Sequence, residues 1–274
     1  MSRQHDDETH EHDRGLSYDL PVLARRRMIR LMAGTGAGLL PLMGCTGSSS
    51  PTAVTSPSAT GTGTACAAIP EETAGPYPGD GSNGVNVLKE SGVVRTDITS
   101  SFGDSAGGTA EGVPLTLTLT VVDAASGCGT PRKGAAVYVW HCDREGGYSL
   151  YTDGVTEENY LRGVQETDDK GRATFTSVFP GCYPGRWPHV HFEVYGSLQD
   201  ALGATAITST SQLAFPKDVC DTVYATEGYD ASVANLRRLS LDTDLVFRDG
   251  HDQQLASVKG SVQEGLTASL TVAV

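Results

Sequence analysis

The sequence lacks several features that would assign it to other classes of protein. Only 19% of its 274 residues are charged, and acids outnumber bases 33 to 20, which gives a formal net charge of −13. An acidic surface repels phosphate backbones, so we expect no nucleic-acid partner. The apolar stretch at 31–43 is too short and too rich in glycine for a permanent membrane span. No internal repeat and no Cys-x-x-Cys pair occurs, and helical periodicity is weak apart from a short stretch at 233–239.

The first 45 residues are typical of an export signal. Arg25, Arg26 and Arg27 precede the apolar stretch and match a twin-arginine signal. The stretch ends at Cys45 in the sequence LMGC, which is typical of a lipobox and predicts cleavage before this cysteine and lipidation of its thiol. An ordinary cleaved signal with an unmodified cysteine is the alternative. We expect an exported protein that is lipid-anchored at the outer face of the cytoplasmic membrane, or else secreted, with no other membrane contact.

A composition change separates this signal from the rest of the chain. Residues 46–65 (TGSSSPTAVTSPSATGTGTA) carry no charge and no aromatic side chain. Such a segment cannot bury enough apolar surface to offset its ordering entropy, so it predicts a flexible tether. The folded domain is therefore expected at 66–274.

Hydrophobic residues in that domain alternate with a period of two. Glycine and proline separate the alternating runs, which is typical of strands joined by turns. The pattern predicts an all-β fold, an antiparallel β-sandwich with long loops and little helix. The predicted strands are 115–121 (LTLTLTV), 135–140 (AAVYVW), 173–179 (ATFTSVF), 189–195 (HVHFEVY) and 266–272 (LTASLTV).

Two of the four histidines that follow the predicted export signal lie on one predicted strand. His189 and His191 are two residues apart, so both imidazoles project from the same face, while Val190, Phe192 and Val194 project into the core from the other. Such a pair is within reach of a single metal ion. A pair of solvent-facing histidines on an edge strand is the other interpretation.

Two flanking segments carry aromatic and basic side chains toward this pair. Residues 179–189 (FPGCYPGRWPH) form a rigid turn that presents Tyr183 and Arg186, and residues 139–149 (VWHCDREGGYS) end a strand and present Tyr148. These segments resemble the intradiol ring-cleavage dioxygenases, the family of catechol and protocatechuate dioxygenases, and in particular an exported, lipoprotein-like actinobacterial branch. The resemblance extends over most of 66–274. It includes 70–77 (PEETAGPY), 95–98 (RTDI), 161–163 (LRG) and Gln212.

The resemblance implies a non-haem Fe(III) site with Tyr148, Tyr183, His189 and His191 as ligands. The chemistry of the residues agrees, because a phenol with a pKa near ~10 ionises at neutral pH only when a strong Lewis acid binds its oxygen. Zinc and copper sites more often take His, Cys or carboxylate ligands. Two phenolates and a hydroxide would balance the three charges of the ion.

The resemblance also implies a reaction and further site residues. A small aromatic diol would bind with Tyr183 leaving the metal and taking one of its protons, and O2 would be inserted to give a cis,cis-muconate-type diacid. Arg186 would stabilise charge on substrate oxygen, and Gln212 would position the histidine pair or the oxygen species. A surface salt bridge for Arg186 and an ordinary buried amide for Gln212 are the alternatives.

A loop that lines the substrate pocket is implied at Gly75, Pro76 and Tyr77. Here the chain departs from the family pattern, because Ala74 replaces the usual acid and Pro78 the usual second tyrosine. The sequence therefore does not determine the shape of the pocket or the catechol that the pocket accepts. Relatives often assemble, so a homo-oligomer is possible.

The remaining histidines and cysteines are given structural roles. His141, at a strand end, is expected to form structural hydrogen bonds, and His251 to be solvated. Five cysteines follow Cys45, which in an exported protein suggests at most two disulfides. Cys128 and Cys142 recur in the exported relatives, so the likeness implies that they pair. Cys182 and Cys220 resemble additions in this chain and are expected to form the second pair.

Two other functions fit the same residues. One is a non-catalytic β-sandwich lipoprotein that binds catechols or metal, since a fold does not guarantee activity. The other is a different His-x-His metalloenzyme such as a cupin-type oxygenase. The presence of all four implied ligands with Arg186 argues against the first, and the absence of a downstream Glu and His in cupin arrangement argues against the second.

Overall fold

The structure is a computed structural model that describes residues 66–274. The predicted export signal at 1–45, with Cys45, and the predicted tether at 46–65 lie outside the described residues. Within the described part, the regular structure consists of eight strands, three short α-helices and three single 3-10 turns. The strands are β1 (Pro114–Val122), β2 (Ala136–Trp140), β3 (Arg162–Glu166), β4 (Arg172–Val178), β5 (His189–Tyr195), β6 (Ile207–Ala214), β7 (Ser257–Ser261) and β8 (Gly265–Ala273), and the helices are α1 (Leu198–Gly203), α2 (Lys217–Tyr224) and α3 (Asp230–Leu236).

The first sheet, in the order β4-β1-β8-β7, is built on alternating strands. In β1, Leu115, Leu117 and Leu119 are buried, and the threonines between them are half-buried. β1 pairs antiparallel with β4 and parallel with β8. A parallel neighbour requires a long connection, which the chain between the two strands supplies. The predicted β-sandwich is confirmed, with one parallel pair in a mainly antiparallel fold.

The second sheet, in the order β3-β2-β5-β6, is antiparallel throughout and carries the histidine pair. β5 lies between two hydrogen-bonded neighbours, and all seven of its residues are buried. The interpretation of His189 and His191 as solvent-facing residues of an edge strand is therefore wrong.

Two apolar clusters cover the two faces of this second sheet. Val190, Phe192 and Val194 pack between the sheets against residues of β1 and β8, which makes the main core. Tyr138, Trp140 and other side chains of the outer face pack beneath the loops at 66–105 and 141–161. The long loops therefore form a lid over the outer face, and the histidines point into that lid.

Helix is scarce, as predicted. The expected helical stretch at 233–239 corresponds to α3, which begins and ends three residues earlier. None of the helices among residues 66–274 has the length and apolar character required to cross a membrane.

The cysteine pairing differs from the expected one. Cys66 forms a disulfide with Cys128, and Cys142, Cys182 and Cys220 are buried and free. The expected pairs Cys128–Cys142 and Cys182–Cys220 are both wrong. Cys128 precedes β2 and Cys142 follows it, so a strand that rises about 3.3 Å per residue carries the two apart. The sulfur of Cys182 lies 3.6 Å from the carbonyl oxygen four residues further along its own turn.

Candidate metal centre

Two imidazoles lie side by side on the outer face of the second sheet. The Nε2 atoms of His189 and His191 are 3.1 Å apart, and both side chains are buried. Hydrogen bonds to β2 and β6 fix the strand from both sides. The pair is therefore held by the sheet itself rather than by a loop.

The loop after β2 delivers the first tyrosine. Asp143 shapes this loop, because its Oδ1 atom accepts a hydrogen bond of 2.7 Å from the backbone N–H of Gly147. Gly146 adopts a φ of +93°, a conformation that glycine reaches without steric cost. The loop places the hydroxyl of the buried Tyr148 3.4 Å from Nε2 of His189.

The turn between β4 and β5 delivers the second tyrosine. Helix α3 holds this turn at Cys182, whose N–H donates to Oγ of Ser232 at 2.8 Å and whose carbonyl accepts from Nδ2 of Asn235 at 2.7 Å. The next residue, Tyr183, is half-buried, and its hydroxyl lies 3.3 Å from Nε2 of His189. Both phenols thus reach the same imidazole nitrogen.

The spacing of these polar atoms fits a single bound ion. With metal–donor distances of about 2.0–2.1 Å, neighbouring donors lie ~2.9 Å apart at right angles and ~3.4 Å apart in a tetrahedron. The separations of 3.1, 3.3 and 3.4 Å around His189 fall in that range. Among residues 66–274 no group of three or more His, Cys, Asp or Glu side chains could hold a metal. A metal at this place would therefore need the phenol oxygens.

Burial sets the protonation states of the four side chains. Desolvation, assisted by the Arg186 cation, lowers the pKa of His189 to about 3, and desolvation with the neighbouring His189 lowers the pKa of His191 well below its usual value. Both imidazoles are therefore neutral and can donate lone pairs. Desolvation, assisted by Tyr183, raises the pKa of the Tyr148 phenol well above its usual value. Ionising that phenol requires a strong Lewis acid, which a trivalent ion such as Fe(III) provides.

Neighbouring groups orient the two imidazoles. Nδ1 of His189 donates to the carbonyl oxygen of Trp187 at 2.5 Å, which selects the tautomer with its Nε2 lone pair facing the phenols. The ring of Trp140 stacks on His191, with ring centroids 4.9 Å apart and planes 6° apart. The hydrogen bond thus fixes the orientation of His189, and the stacking fixes the plane of the His191 ring.

Arg186 lies in a buried network beside the histidine pair. Its Nε donates to Oδ2 of Asp244 at 3.1 Å, and its Nη2 donates to Oε1 of Gln212 at 2.6 Å. Nε2 of Gln212 in turn donates to the carbonyl of Thr73 at 2.9 Å. Because Arg186 and Asp244 are both buried, the alternative of a surface salt bridge is wrong. Gln212 links the arginine to the chain segment that covers the site.

That covering segment, residues 66–80, is called the strap below. Gly75 adopts a φ of +70°, and a Cβ placed on it would lie 3.2 Å from Cε1 of His191. Glycine is therefore what allows the backbone to approach the imidazole so closely. The ring of Tyr77 lies 4.9 Å from that of Tyr148, and Pro76, the preceding residue, is half-buried. The strap thus approaches two of the four candidate ligands, His191 through Gly75 and Tyr148 through Tyr77.

Arg162 joins the strap to the tyrosine loop. It is buried, and its Nη1 donates to the carbonyls of Tyr77 and Pro78, both at 2.9 Å. Its Nε and Nη2 donate to Oγ and the carbonyl of Ser149 at 3.1 and 3.0 Å. The carbonyl of Pro78 also accepts from the hydroxyl of Tyr138 at 2.7 Å. Pro78, where the family pattern has a tyrosine, thus contributes a backbone acceptor.

His141 lies apart from the candidate ligands. Its Nδ1 and Nε2 atoms each form a hydrogen bond of 2.8 Å, to the carbonyl of Cys142 and to Oγ of Ser177. Both ring nitrogens are used, as expected of a structural histidine. His251 is half-buried, and its Nδ1 lies 3.4 Å from the carbonyl of Phe247.

Sequence reasoning missed two residues of this site. Asp244 follows a polar stretch with no periodic pattern, and Arg162 was noted only within the LRG motif. Their contacts to Arg186 and Pro78 span 58 and 84 residues of sequence. No local pattern indicates contacts over such distances.

The fold and the site define a β-sandwich with a buried two-histidine, two-tyrosine centre on the outer face of one sheet. Comparison with known proteins agrees: the family model described as "Dioxygenase" matches residues 93–243, which include the four candidate ligands, Arg186 and Gln212. The chain therefore belongs to the intradiol ring-cleavage dioxygenase family. This membership decides against the cupin-type alternative.

Individual relatives give the same result over shorter spans. Catechol 1,2-dioxygenase of Candida albicans is 28% identical over 160 residues, covering 52% of each chain. The beta chain of protocatechuate 3,4-dioxygenase from Burkholderia cepacia is 31% identical over 137 residues, covering 45% of this chain and 54% of that one. This chain thus spans about half the length of the curated relatives it matches. The solved intradiol ring-cleavage dioxygenase of Tetranychus urticae aligns with a TM-score of 0.54 and 26% identity, over 67% of this chain and 87% of that one.

Proposed function

We propose that this protein is a non-haem Fe(III) intradiol dioxygenase. It inserts both atoms of O2 into a catechol-type substrate and opens the ring between the hydroxyl-bearing carbons, which gives a cis,cis-muconate-type diacid. The observation that carries this proposal is the convergence of two phenol oxygens on Nε2 of His189, which itself lies 3.1 Å from Nε2 of His191. The substrate class follows from the names of two relatives, a catechol and a protocatechuate dioxygenase.

The residues that would hold the iron are Tyr148, Tyr183, His189 and His191. When bound, Fe(III) supplies the Lewis acidity that ionises the two phenols and withdraws electron density from a catechol, so that O2 can attack its ring. The protein keeps both imidazoles neutral by burial, orients His189 through the Trp187 carbonyl and fixes the plane of His191 by stacking on Trp140.

The two tyrosines differ in a way that assigns them different roles. Tyr148 is buried and its ring packs against Tyr77, whereas Tyr183 is half-buried on the turn before β5. Tyr183, the more exposed of the two, would be the ligand that gives way to the arriving catechol, and its oxygen would take a proton from one of the catechol hydroxyls. Tyr148 stays as a fixed ligand.

Arg186 and the strap bind the substrate. The guanidinium of Arg186 stabilises negative charge on the substrate oxygens, and because it is buried its charge is little screened by water. Gln212 fixes one edge of that guanidinium, and Gly75, Pro76 and Tyr77 bound the space for the ring.

The cellular location of the reaction is inferred from the predicted export signal at 1–45. We propose that the twin-arginine signal exports the protein and that lipidation of Cys45 anchors it outside the cytoplasmic membrane. The tether at 46–65 then holds the domain away from the membrane, where it meets catechols from outside the cell.

The test is oxygen consumption by the iron-loaded protein with catechol, protocatechuate and hydroxyquinol, with the product identified. We expect oxygen uptake matched by a muconate-type absorbance with at least one of them. Tyr183→Phe should abolish turnover. Tyr151→Phe removes a hydroxyl that bonds to Asn83 and Gly79 and to none of the candidate ligands, so it should retain turnover. Binding of catechol by the iron-loaded protein without oxygen uptake would refute the proposal and favour the non-catalytic lipoprotein.

A further inference from the structure

The carboxylate of Asp244 is buried in direct contact with the active-site arginine. Its Oδ2 accepts from Nε of Arg186 at 3.1 Å and from the backbone N–H of Trp187 at 2.7 Å. Its Oδ1 accepts from the backbone N–H groups of Val246 and Phe247 at 2.8 and 3.2 Å. Both oxygens therefore have two donors each, which leaves the carboxylate one orientation.

This carboxylate controls the position of the guanidinium. Burial alone would raise the pKa of Asp244, but the Arg186 cation and the Trp187 N–H outweigh it, and the pKa is lowered. Asp244 is therefore ionised and balances the charge of Arg186. A guanidinium is planar, so contacts at Nε to Asp244 and at Nη2 to Gln212 together fix its plane.

A second path runs from Asp244 to a candidate metal ligand through one residue. The N–H of Trp187 donates to Asp244, and the carbonyl of Trp187 accepts the Nδ1–H of His189 at 2.5 Å. The indole of Trp187 is held separately, by a bond of 2.9 Å from Nε1 to the carbonyl of Phe215. Asp244 thus fixes the backbone that selects the tautomer of His189.

From these two paths we propose that Asp244 is a positioning residue of the site. It fixes the Arg186 guanidinium against the substrate and, through the Trp187 backbone, orients His189 for the metal. Its effect on turnover rests on the proposed dioxygenase activity, whereas its effect on metal binding rests only on the proposed iron site. Asp244 lies one residue beyond the segment that the family model matches.

The test compares Asp244→Asn with Asp242→Asn in the full chain. The two positions are two residues apart, but Asp242 is exposed. Asparagine has one acceptor oxygen and would turn an NH2 group toward donors, so the network cannot be satisfied. We expect the affinity for Fe(III) to fall about tenfold and kcat to fall about tenfold while KM changes less than about threefold. Asp242→Asn should leave all three values within about twofold of the wild type.

A second comparison separates positioning from a general loss of structure. In an Arg186→Gln background the guanidinium is gone, so Asp244→Asn should lower kcat by no more than about twofold further. The tenfold loss of iron affinity should persist there, because that path runs through Trp187. If Asp244→Asn lowered kcat about tenfold both in the wild type and in the Arg186→Gln variant, the proposed effect through Arg186 would be overturned.

Two outcomes of this test need a further measurement: a variant that does not fold, and a wild type without activity. If near-ultraviolet circular dichroism shows that Asp244→Asn does not fold, Asp244→Glu keeps the charge and displaces it by one methylene. That variant should lose several-fold in iron affinity and kcat, and wild-type values in it would overturn the proposal. If the wild type oxidises no catechol, the proposed function fails. The ratio of iron affinities between Asp244→Asn and Asp242→Asn still decides the positioning role, and a ratio near one overturns it.

Discussion

The disulfide between Cys66 and Cys128 is expected to stabilise both the fold and the strap. It joins residues 62 apart in sequence, and closing a loop of that length in the unfolded chain corresponds to about 4 kcal/mol. Replacing both cysteines by serine should lower the free energy of unfolding by about that amount. Because the strap begins at Cys66 and carries Gly75 over His191, amide hydrogen exchange should rise in the strap before it rises in β5.

Urea unfolding measures this loss. A domain of this size has an m-value of about 2–3 kcal/mol per molar urea, so a loss of about 4 kcal/mol lowers the midpoint by roughly 1.3–2 M. The wild type treated with a reductant is the matched control. It should coincide with the double serine variant, because Cys142, Cys182 and Cys220 are free.

Two results would refute this reasoning. One is a loss of less than about 1 kcal/mol in the double variant, which would mean that the bridge constrains the unfolded chain far less than its loop length implies. The other is a disulfide-linked peptide that joins Cys128 to Cys142, or Cys182 to Cys220, in a digest of the non-reduced protein.

Three further substitutions test other parts of the account. Gly75→Ala should cost about 1–2 kcal/mol in thermal unfolding and weaken iron binding in a titration, because its φ of +70° disfavours a Cβ that would also press on the imidazole below. Arg162→Lys should lower the free energy of unfolding in urea by about 3 kcal/mol, because a lysine cannot donate to all the carbonyls and the hydroxyl that the buried guanidinium reaches. Burial lowers the pKa of His141 to about 4, so the unfolded chain binds the extra proton between about pH 6.5 and 4, and the stability from this group is lost as the pH falls through that window. The stability difference between the wild type and His141→Asn should therefore narrow by about 2 kcal/mol from pH 7 to pH 5.

Two of these substitutions have a matched control, and all three have a result that would contradict them. Arg172→Lys alters an exposed ion pair with Asp168 and should be near neutral, so an equal loss there and in Arg162→Lys would contradict the second prediction. His251→Asn makes the same change outside the core, and a constant gap between the wild type and His141→Asn from pH 7 to pH 5 would contradict the third. Unchanged iron affinity in Gly75→Ala would mean that the strap does not press on His191.

Local patterns predicted the strands whose two faces differ. The run at 189–195 coincides with β5, and the runs in β1, β2, β4 and β8 lie within one residue of the observed bounds. Since alternation fixes which side chains share a face, it also placed His189 and His191 together.

The strands that were not predicted lack a clear difference between a buried apolar face and an exposed polar face. β6 reads ITSTSQLA, and two of its buried polar side chains find their partners in the strap: Ser211 and Gln212 donate to the carbonyls of Pro70 and Thr73 at 2.7 and 2.9 Å. β7 is an edge strand with no buried residue, so it has no apolar face to detect. The Cys66–Cys128 bridge and the Asp244–Arg186 pair join distant parts of the chain, and neither spacing nor periodicity encodes such contacts.

The central claim is that Tyr148, Tyr183, His189 and His191 bind one Fe(III) ion. The visible spectrum of the protein loaded with one equivalent of Fe(III) tests it most directly. We predict a tyrosinate-to-iron charge-transfer band that Tyr151→Phe retains and that a Tyr148→Phe/Tyr183→Phe double variant loses. An iron-loaded wild type without colour, or a band that survives in the double variant, would contradict the account.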